Sequence, residues 1–239
     1  MRRLILLGAP LVAVCVGTAI LLHLGFWQLE RGTEKQAIKE ALDSRIDQEP
    51  LKLRGQQLDV AKDQFYRAEV SGFFEHQREV LIDNRIVNGQ GGLNVITPLK
   101  IDGIERRVLV NRGWIPWSFD RTRYAEYERP MERVVLSGLL VHPAQDYYSL
   151  DSSLPDPKQK VWQNLDLSFF EPLRGIQVEP LVLWLPEDPA SGFRREWPQY
   201  NDEWAARHRG YALQWFGMAA VLVIIYLVAL VRRWKRSST

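Results

Sequence analysis

The segment RHRGYALQWF, residues 207–216, marks the change from polar to apolar sequence on which the fold of this chain depends. It leads into an apolar run, Tyr211 to Val231, that contains no charged side chain. The hydrocarbon core of a bilayer is about 30 Å thick and an α-helix rises about 1.5 Å per residue, so about 20 apolar residues can cross it. The sequence therefore predicts a transmembrane helix at residues 211–231, with His208 just before its start.

A second apolar run extends from Leu4 to Leu24. A secretory signal peptide would have an apolar region of about 7–15 residues followed by a cleavage site of small residues. This run is longer and continues into Gly25-Phe26-Trp27, so we expect a retained transmembrane helix at residues 4–24. The single cysteine, Cys15, lies within that helix, which excludes an intramolecular disulfide.

Lysine and arginine residues indicate how the two helices are oriented, because they are enriched on the cytoplasmic side of a membrane. Arg2 and Arg3 precede the first run, and further basic residues follow the second at positions 232, 233, 235 and 236. The inner flanks mix acidic and basic residues. Both termini should therefore face the cytoplasm or matrix, and residues 27–206 should form an exported domain.

The exported domain has the alternating pattern of β-strands. In Phe65–Phe74 apolar residues such as Ala68 and Val70 alternate with polar ones, as in a half-buried strand. The dipeptides Asn88-Gly89 and Asp102-Gly103 favour tight hairpin turns. Further strands are predicted at Glu79–Val87, Leu93–Ile101, Ile104–Arg112, Val134–Val141, Lys160–Asn164 and Val178–Leu185.

Residues Thr33–Leu42 are predicted to continue the first helix or to form a short separate one. A short helix is also predicted at Ser168–Arg174 and a polar loop at Tyr147–Lys158. The fold class is therefore a membrane protein in which two transmembrane helices bracket an exported, mainly antiparallel β domain. This domain is of the α+β type and barrel-like.

Composition excludes several functional classes. The net charge of +2 comes largely from basic clusters at the two ends, so no basic surface remains for nucleic acid. The sequence contains no glycine-rich phosphate loop, nucleophile elbow or paired Cys-x-x-Cys, and it does not predict an enzyme. A Cu(I) carrier needs clustered sulfur ligands, whereas this chain has one cysteine and three scattered methionines.

Four histidines remain as candidate ligands. His76 and His142 lie in predicted turns and are expected to be solvent-exposed. His23 and His208 lie where the first helix leaves the membrane and the second enters it, so both should be near the same interface. An imidazole there can stay neutral and bind a metal, or it can simply cap a helix end.

The neighbours of His208 make metal binding an alternative to helix capping at this position. A haem needs an axial nitrogen, an apolar slot and cations for its propionates. Arg207 and Arg209 flank the histidine, and Tyr211 and Trp215 follow on one face of the predicted helix. The same residues are also compatible with an ordinary aromatic belt at a membrane interface.

Several segments resemble those of the Surfeit locus protein family, the bacterial and mitochondrial assembly factors of cytochrome c oxidase. The resemblance covers nearly the whole chain, and the run Val110–Pro116 is its most specific part. The similar segments are Gly25–Arg31 with Lys35, Thr97-Pro98-Leu99, Val110–Pro116, and His208 with Gly210-Tyr211-Ala212 and Trp215-Phe216.

The resemblance implies a protein of a bacterial inner membrane with a periplasmic central domain. It also implies transient binding of haem a and assistance in its insertion into oxidase subunit I, with haem a synthase as a further partner. The family's haem-associated histidine falls on His208. The alternative is a scaffold that binds no cofactor and stabilises an assembly intermediate of subunit I.

Three positions depart from the residues that are usual in the family. Arg207 and Arg209 replace residues that are more often a polar amide and an apolar residue in the family, and Leu93 replaces an aromatic one. Arg112 and Trp27 are included among the candidate haem-contacting residues. Arg112 lies in a run that favours a structural role at a strand-ending turn over direct ligation, and Trp27 also suits a contact with the membrane surface.

Overall fold

The computed structural model describes residues 2–118, 122–143, 159–197 and 202–237. The chain forms two compact units: Met1–Ala41 together with Gln199–Thr239, and Leu42–Pro198. We call them the helix pair and the barrel unit. The elements are α1 Arg2–Arg45, β1 Leu51–Lys52, α2 Val60–Asp63, β2 Arg67–Phe74, β3 Val80–Val87, β4 Gln90–Ile101, β5 Arg107–Pro116, β6 Val134–Val141, β7 Val161–Trp162, α3 Leu167–Arg174, β8 Val178–Trp184 and α4 Asp202–Ser237.

The helices α1 and α4 are long and apolar enough to cross a membrane, by length and composition. The candidate spans are Gly8–Arg45 and Glu203–Arg236, with mean hydropathies of 2.0 and 2.3 in their most apolar windows. Both helices continue beyond the apolar runs at 4–24 and 211–231. The predicted helix at Thr33–Leu42 is a continuation of α1, because the Glu, Lys, Gln and Ala residues there favour helix.

Small residues bring α1 and α4 close together. On α4 a buried alanine recurs every seven residues, at Ala205, Ala212 and Ala219. On α1 a Cβ at Gly25 would overlap the Phe216 ring. A Cβ at Gly32 would lie 3.3 Å from the Cβ of His208, and one at Gly17 would lie 3.1 Å from Leu222 Cδ2. Residue numbers rise along α1 as they fall along α4 in these three contacts. The two helices are therefore antiparallel and pack through small residues.

The barrel unit contains an eight-stranded sheet in the order β1-β2-β6-β8-β5-β4-β3-β7. Because β2 pairs with both β6 and β4, the five strands β2, β6, β8, β5 and β4 close into a barrel. The predicted fold class is confirmed, including the mainly antiparallel sheet. Three pairings are parallel: β1–β2, β3–β7 and β5–β8.

The predicted strands are present with small shifts at their ends. Asn88 and Gly89 have φ angles of 50° and 76°, so the β3–β4 hairpin uses the two positive angles that its sequence favours. The strand β5 does not end at Gly113. Val95 pairs with Gly113 and Ile96 with Asn111, so Arg112 is the extra residue of a β-bulge and the strand continues to Pro116. The predicted loop at 147–158 lies outside the described residues.

Two main cores hold the barrel unit together. Residues such as Val70, Leu99 and Leu183 form one core, drawn from strands of the closed barrel. A second core packs Phe170 of α3, fully buried, against Ile82 and other side chains of the sheet. The N-cap of α3 is Asp166, whose side chain accepts a hydrogen bond from the backbone N–H of Ser168, and its C-cap is Gly175. This cap and stop explain why the short helix forms where it covers the sheet.

We predict that Gly25→Leu separates the helix pair, because the new side chain would overlap Phe216. In a Cys15→Ser background, Gly17→Cys and Leu222→Cys should form an oxidative cross-link, and its yield should fall several-fold in Gly25→Leu. Gly217→Leu is the matched control, since nothing lies within 4 Å of a Cβ there. Phe216→Ala should restore the cross-link in Gly25→Leu. Equal yields in the parent and Gly25→Leu would contradict the packing.

Candidate functional site

His208 is held by a side chain of the opposite helix. Its Nδ1 atom lies 2.6 Å from Oε1 of Gln28 on α1. Gln28 is one helical turn from both Gly25 and Gly32, on the face where α1 approaches α4. The imidazole is half-buried and belongs to the stripe of α4 that contains Ala205 and Ala212. The small residues therefore allow this hydrogen bond between the helices.

The hydrogen bond determines what the imidazole can do. A carboxamide oxygen only accepts hydrogen bonds. Nδ1 of His208 therefore carries a proton and donates a hydrogen bond to Oε1 of Gln28. In the neutral form of the imidazole, the other ring nitrogen, Nε2, then has a lone pair. Histidines that bind metals are commonly oriented in this way, with the second nitrogen donating to an oxygen. The site thus offers one oriented nitrogen ligand.

The other predicted residues of the helix pair lie within about two turns of His208 on α4, or next to Gln28 on α1. The side chain of Arg207 is 64% exposed and lies 3.9 Å from Glu203, and Arg209 is exposed as well. Tyr211 is 49% exposed and Trp27 is 43% exposed. Trp215 is half-buried. The structure therefore places accessible cations and aromatic rings in the same part of the helix pair as His208.

His23 does not approach His208. Gly32 is the residue of α1 that faces His208, and His23 precedes it by nine residues, or roughly 13 Å along the helix axis. His23 is also exposed. In this structure the two imidazoles are not placed to share an iron.

Arg112 lies in the barrel unit and contacts barrel residues. It is 5% exposed, and its guanidinium carbon lies 5.0 Å from the Phe74 ring centre and 4.8 Å from that of Phe193. Its Nη2 donates to the carbonyl oxygen of Glu128 at 2.6 Å. The bulge at this residue, together with these contacts, gives the arginine a structural role in the barrel unit.

Arg112 also faces Glu79, a carboxylate whose side chain is 0% exposed. Thr97 Oγ1 donates to Glu79 at 2.6 Å, and the Tyr127 hydroxyl donates to its other oxygen. Lys160 Nζ lies 3.1 Å away. The wider set of charged partners is Arg112 at 3.8 Å, Arg129 at 3.8 Å and His76 at 3.6 Å. We call this group the Glu79 cluster.

Burial by itself would raise the pKa of Glu79. Hydrogen bonds from Thr97 and Tyr127, with the positive charge of Lys160, outweigh burial and hold the pKa of this carboxyl below its ordinary value. Burial, followed by the hydrogen bond to Glu79, raises the pKa of Tyr127, which therefore stays a donor. Glu79 is ionised in the folded protein and joins β3, β4 and β5 through its partners.

Sequence reasoning did not identify Gln28 and Glu79 as partners of His208 and Arg112. Gln28 could have been found by noting that two antiparallel helices on the same side of a membrane bring residues 28 and 208 to similar depths. Glu79 could not, because its burial depends on strands far apart in sequence. Within the described parts of the chain, no group of three or more His, Cys, Asp or Glu side chains could hold a metal ion.

The fold and the site define a class of protein: a closed β-barrel unit joined to two candidate membrane-spanning helices, one of which presents an oriented histidine. The chain belongs to the SURF1 family, whose model matches residues 15–220. The chain is 28% identical over 239 residues to a SURF1-like protein of Rickettsia bellii, an alignment that covers 95% of this chain and 90% of the relative.

Two further relatives extend the comparison beyond bacteria. A SURF1-like protein of Monosiga brevicollis is 25% identical over 236 residues, covering 93% of this chain and 85% of the relative. The cytochrome oxidase assembly protein SHY1 of Saccharomyces cerevisiae is 29% identical over 150 residues, covering 61% of this chain and 39% of that protein. The similarity therefore extends over almost the whole chain in some relatives and over part of it in others.

We predict that Glu79→Gln lowers the free energy of unfolding of the barrel unit at pH 7 by about 3–5 kcal/mol, because it removes the charge that the buried Arg112 and the partly exposed Lys160 face. The pKa of Glu79 is lower in the folded than in the unfolded state, so its contribution is present above about pH 4.5. That contribution is lost as the pH falls through the folded pKa. The difference in the free energy of unfolding between the wild type and Glu79→Gln should therefore shrink as the pH falls.

Urea unfolding followed by tryptophan fluorescence measures this difference at each pH. Glu105→Gln is the matched control, since that side chain is 84% exposed and pairs with Lys100 at the surface. Glu105→Gln should change the free energy of unfolding little at any of these pH values. A stability difference between the wild type and Glu79→Gln that grows as the pH falls would contradict the assignment.

Proposed function

We propose that this protein is a membrane-anchored assembly factor for haem-copper cytochrome c oxidase that binds haem a transiently and assists its insertion into subunit I. The observation that carries the proposal is the hydrogen bond from His208 Nδ1 to Gln28, which leaves Nε2 available as an axial ligand. Family membership and a relative named as a cytochrome oxidase assembly protein support the oxidase as the target.

The residues of the helix pair fit a haem in three respects. His208 offers one neutral nitrogen, and Arg207 and Arg209 offer accessible positive charge on either side of it. Tyr211 and Trp215 add aromatic surface on the following turns. Bound haem a would supply an iron that Nε2 of His208 could ligate, and the protein would act as a carrier rather than as a catalyst.

The proposed location follows from the two candidate spans and the charges that flank them. We place the protein in a bacterial inner membrane with both termini cytoplasmic and the barrel unit in the periplasm. His208 then lies at the periplasmic interface, just before the apolar run 211–231. Subunit I and haem a synthase are the partners that this position suits.

We predict that His208→Ala loses most of its haem a when the protein is purified from cells that make this cofactor. The visible spectrum of the purified protein measures haem content per chain. Gln28→Leu should retain less haem than the wild type or show a shifted spectrum, because the imidazole is no longer oriented. His142→Ala is the control, since this histidine lies in the barrel unit. Equal haem content in His208→Ala and the wild type would contradict the ligand assignment.

A scaffold that binds no cofactor is the second candidate. It is favoured by the observation that Thr97 and Arg112, from the most family-like segments, contribute to the Glu79 cluster of the barrel unit. In this case the surface of the barrel unit would bind subunit I, and His208 would have no role in that binding.

Capture of subunit I distinguishes the two candidates. We expect subunit I to co-purify with the wild type in cells that make haem a, and the yield to fall in His208→Ala or when haem a synthesis is blocked. A scaffold would capture subunit I equally under all three conditions. Immunoblotting of the purified complex against a fixed amount of bait measures the yield.

A further inference from the structure

The barrel unit contains a cavity of about 500 Å³ beside the core beneath α3. Ile82, Ile96 and Val182 line it, and each is at most 2% exposed. Small-molecule sites typically enclose about 300–1,000 Å³ and have mostly apolar walls with a few polar groups. The volume and the lining of this cavity agree with both properties.

Three tryptophans form much of its wall. The indole N–H of Trp114 donates to the carbonyl oxygen of Arg85 at 3.0 Å, and that of Trp197 donates to Leu185 at 2.8 Å. The rings of Trp184 and Trp197 lie 4.7 Å apart at an interplanar angle of 33°. Because two of the indole N–H groups are already bonded to the backbone, the wall is largely aromatic surface.

Polar side chains of three strands also line this cavity. Asn111 is 3% exposed, and its Oδ1 accepts from the backbone N–H of Gly113, which leaves its amide N–H groups for another acceptor. Asn94 lies on the adjacent strand, where it pairs with Trp114. Arg85 follows the bulge in β3 that turns its side chain towards the cavity. Within the part of the chain that the structure describes, the side-chain N–H groups of Arg85, Asn94 and Asn111 have no hydrogen-bond acceptor.

The charges of the lining select the kind of ligand. Among the residues that line the cavity, Arg85 and Arg194 are positive and Glu196 is negative, so the lining itself carries one positive charge in excess; Asp83, outside the lining, also attracts Arg85. Arg194 stacks 5.3 Å from the Trp114 ring centre, and Glu196 accepts a hydrogen bond from Asn88. Burial lowers the pKa of the Arg85 guanidinium, as expected for a cation partly removed from water. A singly charged acceptor would both neutralise this excess and satisfy the free donors.

We propose that this cavity binds a small aromatic monocarboxylate, with the carboxylate at Arg85, Asn94 and Asn111 and the ring against the tryptophan wall. The site lies in the barrel unit and does not involve His208. It is therefore independent of the haem proposal.

The test uses the full chain in detergent micelles and equilibrium dialysis against 2-naphthaleneacetate, with empty micelles as the blank. The neutral ligand 2-naphthaleneacetamide has nearly the same shape and no charge. We expect saturable binding of the acetate by the wild type, at one site per chain, and weaker binding of the amide. Arg85→Gln should weaken acetate binding by about tenfold or more and leave amide binding nearly unchanged.

Two variants complete the design. Asn94→Asp keeps the shape of the side chain but adds a negative charge. It should therefore weaken binding of 2-naphthaleneacetate more than binding of 2-naphthaleneacetamide. Arg67→Gln changes an exposed arginine outside the cavity and should bind like the wild type. His208→Ala should also bind like the wild type. Thermal unfolding of each variant shows that the barrel unit is folded.

Three results would overturn the proposal. One is no binding to the wild type beyond that of empty micelles. Another is equal acetate affinity in the wild type and in folded Arg85→Gln. The third is an amide that binds as tightly as the acetate.

Discussion

The close approach of α1 and α4 at Gly25 and Gly32 is the constraint on which the candidate haem site depends. A hydrogen bond of 2.6 Å between Gln28 and His208 requires the two helix backbones to be near each other. Larger side chains at the two glycines would move Gln28 away and leave the imidazole free to rotate and to change tautomer. The small residues thus determine a chemical property, the availability of Nε2, through packing alone.

In the barrel unit, a buried charge brings together side chains from different strands. Thr97 and Arg112 come from different strands, and each belongs to a family-like segment of the sequence. Both meet Glu79, a carboxylate that has no exposed side-chain surface. These contacts explain why the residue types in those segments are needed even if they never touch a cofactor, because an unpaired charge at this depth would be costly.

Local patterns were enough to predict much of this fold. Alternation and turn residues gave the strands at 65–74 and 134–141 and the β3–β4 hairpin, because each of these depends on neighbouring residues. The parallel pairing of β5 with β8 was not predicted, since it joins strands that are distant in sequence. For the same reason His208 could be chosen as a candidate from its sequence position, whereas its partner Gln28 and the burial of Arg112 required the tertiary structure.

The position of β8 in the sheet has a consequence for how the protein folds. β8 lies between β5 and β6, so before residues 178–184 join the sheet these two strands are its open edges. Open edges expose unpaired backbone groups to other chains, and pairing over long sequence separations is slow. During synthesis the domain therefore remains prone to aggregation until nearly all of the sequence before α4 has been made.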